Sequence, residues 1–244
     1  MNLNQKALIL PAVNEQEWQT RTWVIIPSYN EARVVRSVVV ELLHAGYQVI
    51  VVDDGSTDDT GRVLKDLSLV YVAHALNLGQ GAALETGMEM ARRLEADYVI
   101  HFDADGQHPL EQIPDLMEPL LRDEADICLG SRFLSQESRG AVPWRRRWTL
   151  QVGRWVNYLF TGYRMSDAHN GFRAMNRKAL HRIRLRQRGR SHATEILSEI
   201  KRHQLRWREV AVQIVYTPYS QSKGTSWQDG LEIVSDLMLR RMKK

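Results

Sequence analysis

Short, uniformly apolar runs alternate with amphipathic stretches through the first half of the chain. Residues 22–27 (TWVIIP), 47–54 (YQVIVVDD), 69–75 (LVYVAHA), 97–105 (DYVIHFDAD) and 125–131 (ADICLGS) have the β-branched, continuous hydrophobicity of strands buried on both faces. Between them, residues 31–44, 57–67, 79–94 and 109–123 carry apolar positions at helical spacing. Strands of this type alternating with helices predict an α/β fold, a mostly parallel sheet with helices on both faces. Residues 1–20 have no clear period and read as an extension. From residue 132 onward the pattern turns helical and irregular. One late strand is predicted over 207–217 (WREVAVQIVYT) and a last amphipathic helix over 226–241. No repeat or low-complexity linker divides the chain, so residues 21–244 read as one domain with two halves, 21–130 and 131–244.

Charge sharpens that division. Residues 1–130 hold 9 Lys and Arg against 21 Asp and Glu, and residues 131–244 hold 24 against 8, so nets of −12 and +16 give the overall +4. An acidic half suits metal binding, and a basic half suits phosphates, nucleic acid or an anionic membrane; oppositely charged solvated faces that pair with each other are the plainer alternative. Cys128 is the only cysteine, which excludes an intrachain disulfide and fits a reducing compartment. No apolar run approaches the ~20 residues of a membrane span, and ALILPAV near the start is too short, with no basic flank, for a signal peptide. The expectation is a cytoplasmic protein, peripheral on the membrane face.

In an open parallel sheet, ligands bind beyond the carboxyl ends of the strands. Three such ends carry PSYNE (27–31), VVDDGSTDDT (51–60) and HFDADGQHP (101–109). Taken singly, each has an ordinary explanation: Asp54-Gly55 makes a good turn, and Thr57, Asp58 or Asp105 a good helix cap. Asp103 and Asp105 weigh more. An extended D-x-D aims both carboxylates to one side, and two adjacent carboxylates raise each other's pKa unless a cation lies between them. With the amide of Gln107 nearby, an all-oxygen set suits Mg²⁺ or Mn²⁺, ions that keep positions open for substrate phosphates.

The ordered elements VIIPSYNE, VVDDGSTDDT, NLGQGAAL, DADGQHP, GSRF, SDAHNGFR and SKGTSW, spanning residues 24 to about 227, resemble a family 2 glycosyltransferase of the GT-A fold, and within it the polyprenol-phosphate hexosyltransferases such as dolichol-phosphate mannose synthase. The resemblance implies a Rossmann-like GT-A domain whose acidic half binds a nucleoside diphosphate sugar. Pro27, Tyr29 and Glu31 would lie against base and ribose, Val52 and Asp54 would line the base pocket, and Asp54 would accept a hydrogen bond from the base edge. Asp103, Asp105 and Gln107 would hold the metal, with Ala104 between the carboxylates beside the donor. Arg132 would meet the phosphates and Lys223 would close over them. Asp167 and Arg173 of the NGFR turn (170–173) would shape the sugar and acceptor side, together with Arg146 and Arg147. Asp105, Arg132 and Glu195 are the candidate catalytic residues.

The reaction expected is metal-dependent inverting transfer of a hexose from a UDP- or GDP-linked donor to a polyprenyl phosphate at the membrane surface. A lipid phosphate arrives ionised and requires positioning and electrostatics alone. A sugar hydroxyl acceptor, as in cell-surface polysaccharide synthesis, would require a carboxylate base, for which Glu195 is the candidate; its alternative is an ordinary helix-face glutamate. A non-catalytic nucleotide-sugar-binding module is a third reading. Residues 139–160 mix five arginines with three tryptophans, a pairing suited to a membrane–water interface, and RIRLRQRGR (182–190) adds five more arginines. No RNA-recognition signature accompanies them, and the acidic half would repel a polyanion.

Overall fold

The computed structural model of the chain describes residues 15–134, 165–167, 170–187, 189 and 191–215. Arg146, Arg147 and Lys223, the tryptophan-rich stretch 139–160 and the helix expected over 226–241 lie outside the described residues. Seven strands form one sheet: β1 (Thr22–Ser28), β2 (Gln48–Asp53), β3 (Val70–Ala73), β4 (Tyr98–His101), β5 (Ile127–Ser131), β6 (Arg173–Asn176) and β7 (Trp207–Ala211), in the order β3-β2-β1-β4-β6-β5-β7. All pairings are parallel except those of β6, which runs antiparallel between β4 and β5. The mostly parallel sheet is as expected; the inverted β6 is not, because four residues of RAMN carry too little pattern to stand out in a helical stretch.

Period-2 alternation divides the core between the two faces. Val24 and Ile26 of β1, Val49 and Val51 of β2, and Ile100 pack on one side, with α2 (Val35–His44) and α4 (Ile113–Leu121). Ile25, Ile50, Val52 and Val99 pack on the other, with α3 (Gln80–Arg93), α5 (Arg177–Arg182) and α6 (His192–Arg202). The expected extension is not all separate: α1 (Glu15–Gln19) seats Trp18 in the first core, its ring 5.8 Å from that of Tyr47.

Two elements differ from expectation in ways that matter for chemistry. The helix expected over 57–67 is reduced to a 3-10 turn, Arg62–Leu64. Asp58 and Thr60 use their side chains on backbone N–H groups instead: Asp58 accepts from Ala32 and Thr60, and Thr60 Oγ1 accepts from Glu31 N at 3.0 Å. Such local bonds compete with helix formation, and here they knit the ends of β1 and β2 together. Likewise β4 stops at His101, so Asp103 and Asp105 lie in the turn beyond it, not in an extended strand, with Gly106 at φ 71° closing the turn. The late strand is shorter than expected, ending at Ala211.

Candidate active site

Every parallel strand delivers its carboxyl end to one edge, and the inversion of β6 brings its amino end there too. That is how Asn170–Phe172, some seventy residues downstream, come to rest on the acidic turn after β4. A Cβ on Gly171 would stand 2.5 Å from Asp103 Oδ2, so only glycine lets the backbone approach this closely. The same carboxylate receives the Nε2 of His108 on Oδ2 at 3.0 Å and the Nε2 of Gln80, the first residue of α3, on Oδ1 at 3.2 Å.

The electrostatics of the pair are unequal. Burial works against ionisation of Asp103, but its hydrogen bond to His108 and the basic side chains of His108, Arg173 and His192 outweigh it and hold the carboxyl below its usual range. Asp105 has no such support. Burial, reinforced by the charge of Asp103, pushes it up to about 6, and the hydrogen bond from Gln107 N at 3.1 Å only partly offsets this. An acidic group strained in this way beside an ionised neighbour is what a divalent cation relieves. The oxygen donors of Asp103, Asp105 and Gln107 suit Mg²⁺ or Mn²⁺. Gln107 is anchored through its carbonyl, which accepts from Val215 N at 2.9 Å. Among the described residues no group of three or more His, Cys, Asp or Glu could hold a metal ion.

The nucleotide-side candidates divide. Tyr29 is 43% exposed at the edge, and Pro27 lies beside Val52 in register. Glu31 is half-buried, its backbone tied to Thr60. Val52 itself is wholly buried in the α3-side core, which removes its side chain from any open pocket. Asp54 also departs from expectation. Its carboxylate accepts from Leu78 N (2.9 Å) and Gly79 N (2.7 Å) and contacts His74 Nδ1 (2.7 Å), which in turn meets Thr86. So placed, Asp54 fastens the segment leading into α3 and is not a free acceptor for a base edge. The nearby Asn30, at φ 55°, accepts from Thr57 N at 2.8 Å and donates its own N–H to Ser56 Oγ.

On the other side, Arg132 makes a bidentate pair with Asp167 (2.6 and 2.8 Å), and Asp167 is in turn held by Glu209 of β7 through its backbone N–H. Arg132, expected to meet the phosphates, is thus ion-paired to Asp167 as the chain is folded. Ala104 is buried. Arg173, opposite His101 in register, is buried with Nη1 unpartnered among the described residues, and burial lowers its pKa to about 10 against the opposing pull of Asp103 and Asp167. Glu195, for which both a base and an ordinary helix-face glutamate were open, lies in α6 and faces inward. Its Oε2 accepts from Arg186 N (2.9 Å) and Gln187 N (2.8 Å), pinning the segment that packs on the first turn of α3. Two backbone N–H groups thus hold this carboxylate in place. His108 and Gln80, which no sequence expectation included, also reach this turn; a lone histidine between Gln107 and Pro109 beside two carboxylates is the signal for the first.

A family model for glycosyl transferase family 2 matches residues 23–184. A UDP-N-acetylglucosamine–dolichyl-phosphate N-acetylglucosaminyltransferase of Methanococcus voltae is 31% identical over 246 residues, covering 91% of this chain and 96% of that protein. A polyprenol monophosphomannose synthase of Mycolicibacterium smegmatis is 34% identical over 173 residues, 68% of this chain and 65% of that protein. Among solved structures, glucosyl-3-phosphoglycerate synthase of Mycobacterium tuberculosis, in complex with Mn²⁺, UDP and phosphoglyceric acid, superposes with a TM-score of 0.69 at 18% identity, covering 95% of this chain and 84% of that one. At that identity the likeness is one of fold.

Proposed function

The chain belongs to glycosyl transferase family 2, and from that premise we propose that it transfers a hexose from a nucleoside diphosphate sugar to a polyprenyl phosphate, with a divalent cation bound at Asp103, Asp105 and Gln107. The observation that carries the donor half is the uncompensated acid Asp105 beside ionised Asp103 at the ligand-binding edge of the sheet. Supporting the acceptor half are the relatives named for dolichyl and polyprenol phosphate substrates, and the engagement of Glu195 on backbone N–H groups. A phosphate acceptor, already ionised at neutral pH, needs no carboxylate base.

When bound, Mg²⁺ or Mn²⁺ would neutralise the diphosphate leaving group as the anomeric carbon becomes oxocarbenium-like. The residues of the chain do the rest by position. Asp103 and Asp105 fix where the cation, and through it the diphosphate, would sit. Pro27, Tyr29 and Glu31 border the nucleoside side, and Arg132 with Asp167 borders the phosphates opposite. Arg173 adds buried positive charge beneath Asp103. The basic residues Arg146, Arg147 and Lys223 complete the phosphate-facing set in this reading, and the arginine- and tryptophan-rich stretch 139–160 meets the membrane surface.

A thermal-shift series with UDP, GDP and ADP, each with and without Mn²⁺, tests the donor half: a base-selective rise that requires metal is expected, because a ligand stabilises the state it binds. Transfer of labelled sugar from the selected donor to undecaprenyl phosphate tests the acceptor half. No metal-dependent shift with any nucleotide would remove the first; label that never becomes lipid-extractable would remove the second.

A further inference from the structure

Three separate segments converge on Asp103, and their arrangement assigns work to two residues that the reaction as described does not use. His108 contributes one hydrogen bond, from Nε2 to Asp103 Oδ2 at 3.0 Å. Its ring is locked flat on Phe172 (centroids 4.9 Å apart, planes at 21°) and edge-on to Phe102 (5.4 Å, 73°). Its other nitrogen, Nδ1, is buried without a partner among the described residues. A phenyl ring would fill this aromatic stack without desolvating a ring nitrogen, and leaving such an atom unsatisfied costs about 1–3 kcal/mol. The imidazole is thus explained by its single bond to Asp103, not by packing. Because an ionised carboxylate only accepts, Nε2 must carry the hydrogen, and Nδ1 need be no more than an unused acceptor lone pair. From the opposite side the exposed Gln80 holds Oδ1 at 3.2 Å, and Gly171 closes the back.

We propose that His108 and Gln80 are positioning residues that clamp Asp103 in its orientation towards Asp105, so that the cation site exists before the cation arrives. The terminal carboxylate torsion is soft, and the repulsion between the two acids would turn Asp103 away if nothing restrained it. Each arm occupies one lone pair of one oxygen and leaves the other for a metal. This inference rests on the metal–diphosphate reading above. Partners of this kind, one shell behind a metal ligand, typically contribute 10–100-fold to metal affinity.

The test measures the Mn²⁺ concentration at which UDP and GDP binding to the full chain half-saturates, by calorimetry, for the unsubstituted protein and for His108→Phe, His108→Gln and Gln80→Ala. His108→Phe keeps the stack and loses the donor; the expected result is a rise of about 10–100-fold in the Mn²⁺ requirement, with a cooperative melt retained. His108→Gln restores an Nε2 donor and is expected to recover most of the loss, a rescue that a space-filling role would not produce. Gln80→Ala, at an exposed helix start, is expected to raise the requirement severalfold. A folded His108→Phe with the original Mn²⁺ dependence would overturn the clamp, as would equal impairment of the Phe and Gln variants. Should His108→Phe fail to fold, an unchanged requirement in Gln80→Ala overturns it instead. Metal-independent nucleotide binding by the unsubstituted protein would be a different failure, that of the reading on which the clamp rests.

Discussion

At the scale of single residues, the site works by contrast between two neighbours. Asp103 is held ionised by His108 and the cations around it, while Asp105 is left acidic only with difficulty. Replacing Asp105 with Asn removes the anionic ligand at nearly constant shape. Turnover is expected to fall at least about a hundredfold, since a metal contributes several kcal/mol of leaving-group stabilisation, while the melting temperature without metal holds or rises; rates at saturating Mn²⁺ and a melting curve in EDTA check both. Glu195 makes the opposite case. If it only anchors Arg186 and Gln187, Glu195→Ala lowers stability by about 1.5–3 kcal/mol, the range for hydrogen bonds to a charged group, and leaves turnover within about tenfold at a temperature where the variant is folded. Loss of turnover with intact donor binding would restore it as a base and favour a hydroxyl acceptor.

At the scale of elements, the antiparallel β6 does most to build the site, because it turns the NGFR segment back onto the acidic turn. Beyond its backbone pairing with β4 and β5, β6 is tied in place by Asp126, just before β5. Its wholly buried carboxylate accepts from Asn176 at the end of β6 (3.2 Å), Lys178 of α5 (2.9 Å) and the backbone and guanidinium of Arg206 before β7. Burial opposes its ionisation, but the bonds from Arg206, Lys178 and Asn176 prevail and hold the carboxyl far below its usual range. The sign follows: a carboxyl depressed in the folded state stabilises the fold above its unfolded pKa of about 3.9, and that contribution is lost as pH falls through the folded value. Asp126→Asn is therefore expected to cost about 3 kcal/mol at pH 7, with the difference from the unsubstituted protein shrinking below about pH 4. Urea unfolding at pH 7 and pH 3 measures it. Little of this was legible beforehand. The long buried strands announced themselves by continuous hydrophobicity, but β6 is four residues long, and its place depends on ion pairs joining residues up to 80 positions apart.

At the scale of the molecule, the charge division is the property with consequences beyond the sheet edge. A second half carrying +16, against −12 in the first, would draw its basic residues to an anionic surface. Among the described residues no helix is long and apolar enough to cross a membrane; attachment through the basic half, as proposed, would be electrostatic. At about 1 kcal/mol per basic residue near an anionic leaflet, sedimentation with phosphatidylglycerol vesicles is expected to exceed that with phosphatidylcholine. It should fall at least about tenfold as salt is raised towards 1 M, where the Debye length is about 3 Å. Binding that ignores both lipid charge and salt would count against the basic half as the contact.

Local pattern was enough for the α/β class, the first five strands in chain order, and the acidic, amide-bearing turn at their carboxyl edge. Each of these follows from periodicities and residue types read within a few positions of one another. What each polar group is free to do was decided only by the folded chain. Asp54, Arg132 and Glu195 turned out to be engaged by Gly79, Asp167 and Gln187, and His108 and Gln80 to converge on one carboxylate. A side chain's availability is set by neighbours far away in sequence, and a composition or spacing rule carries no information about which donors a buried acid will meet.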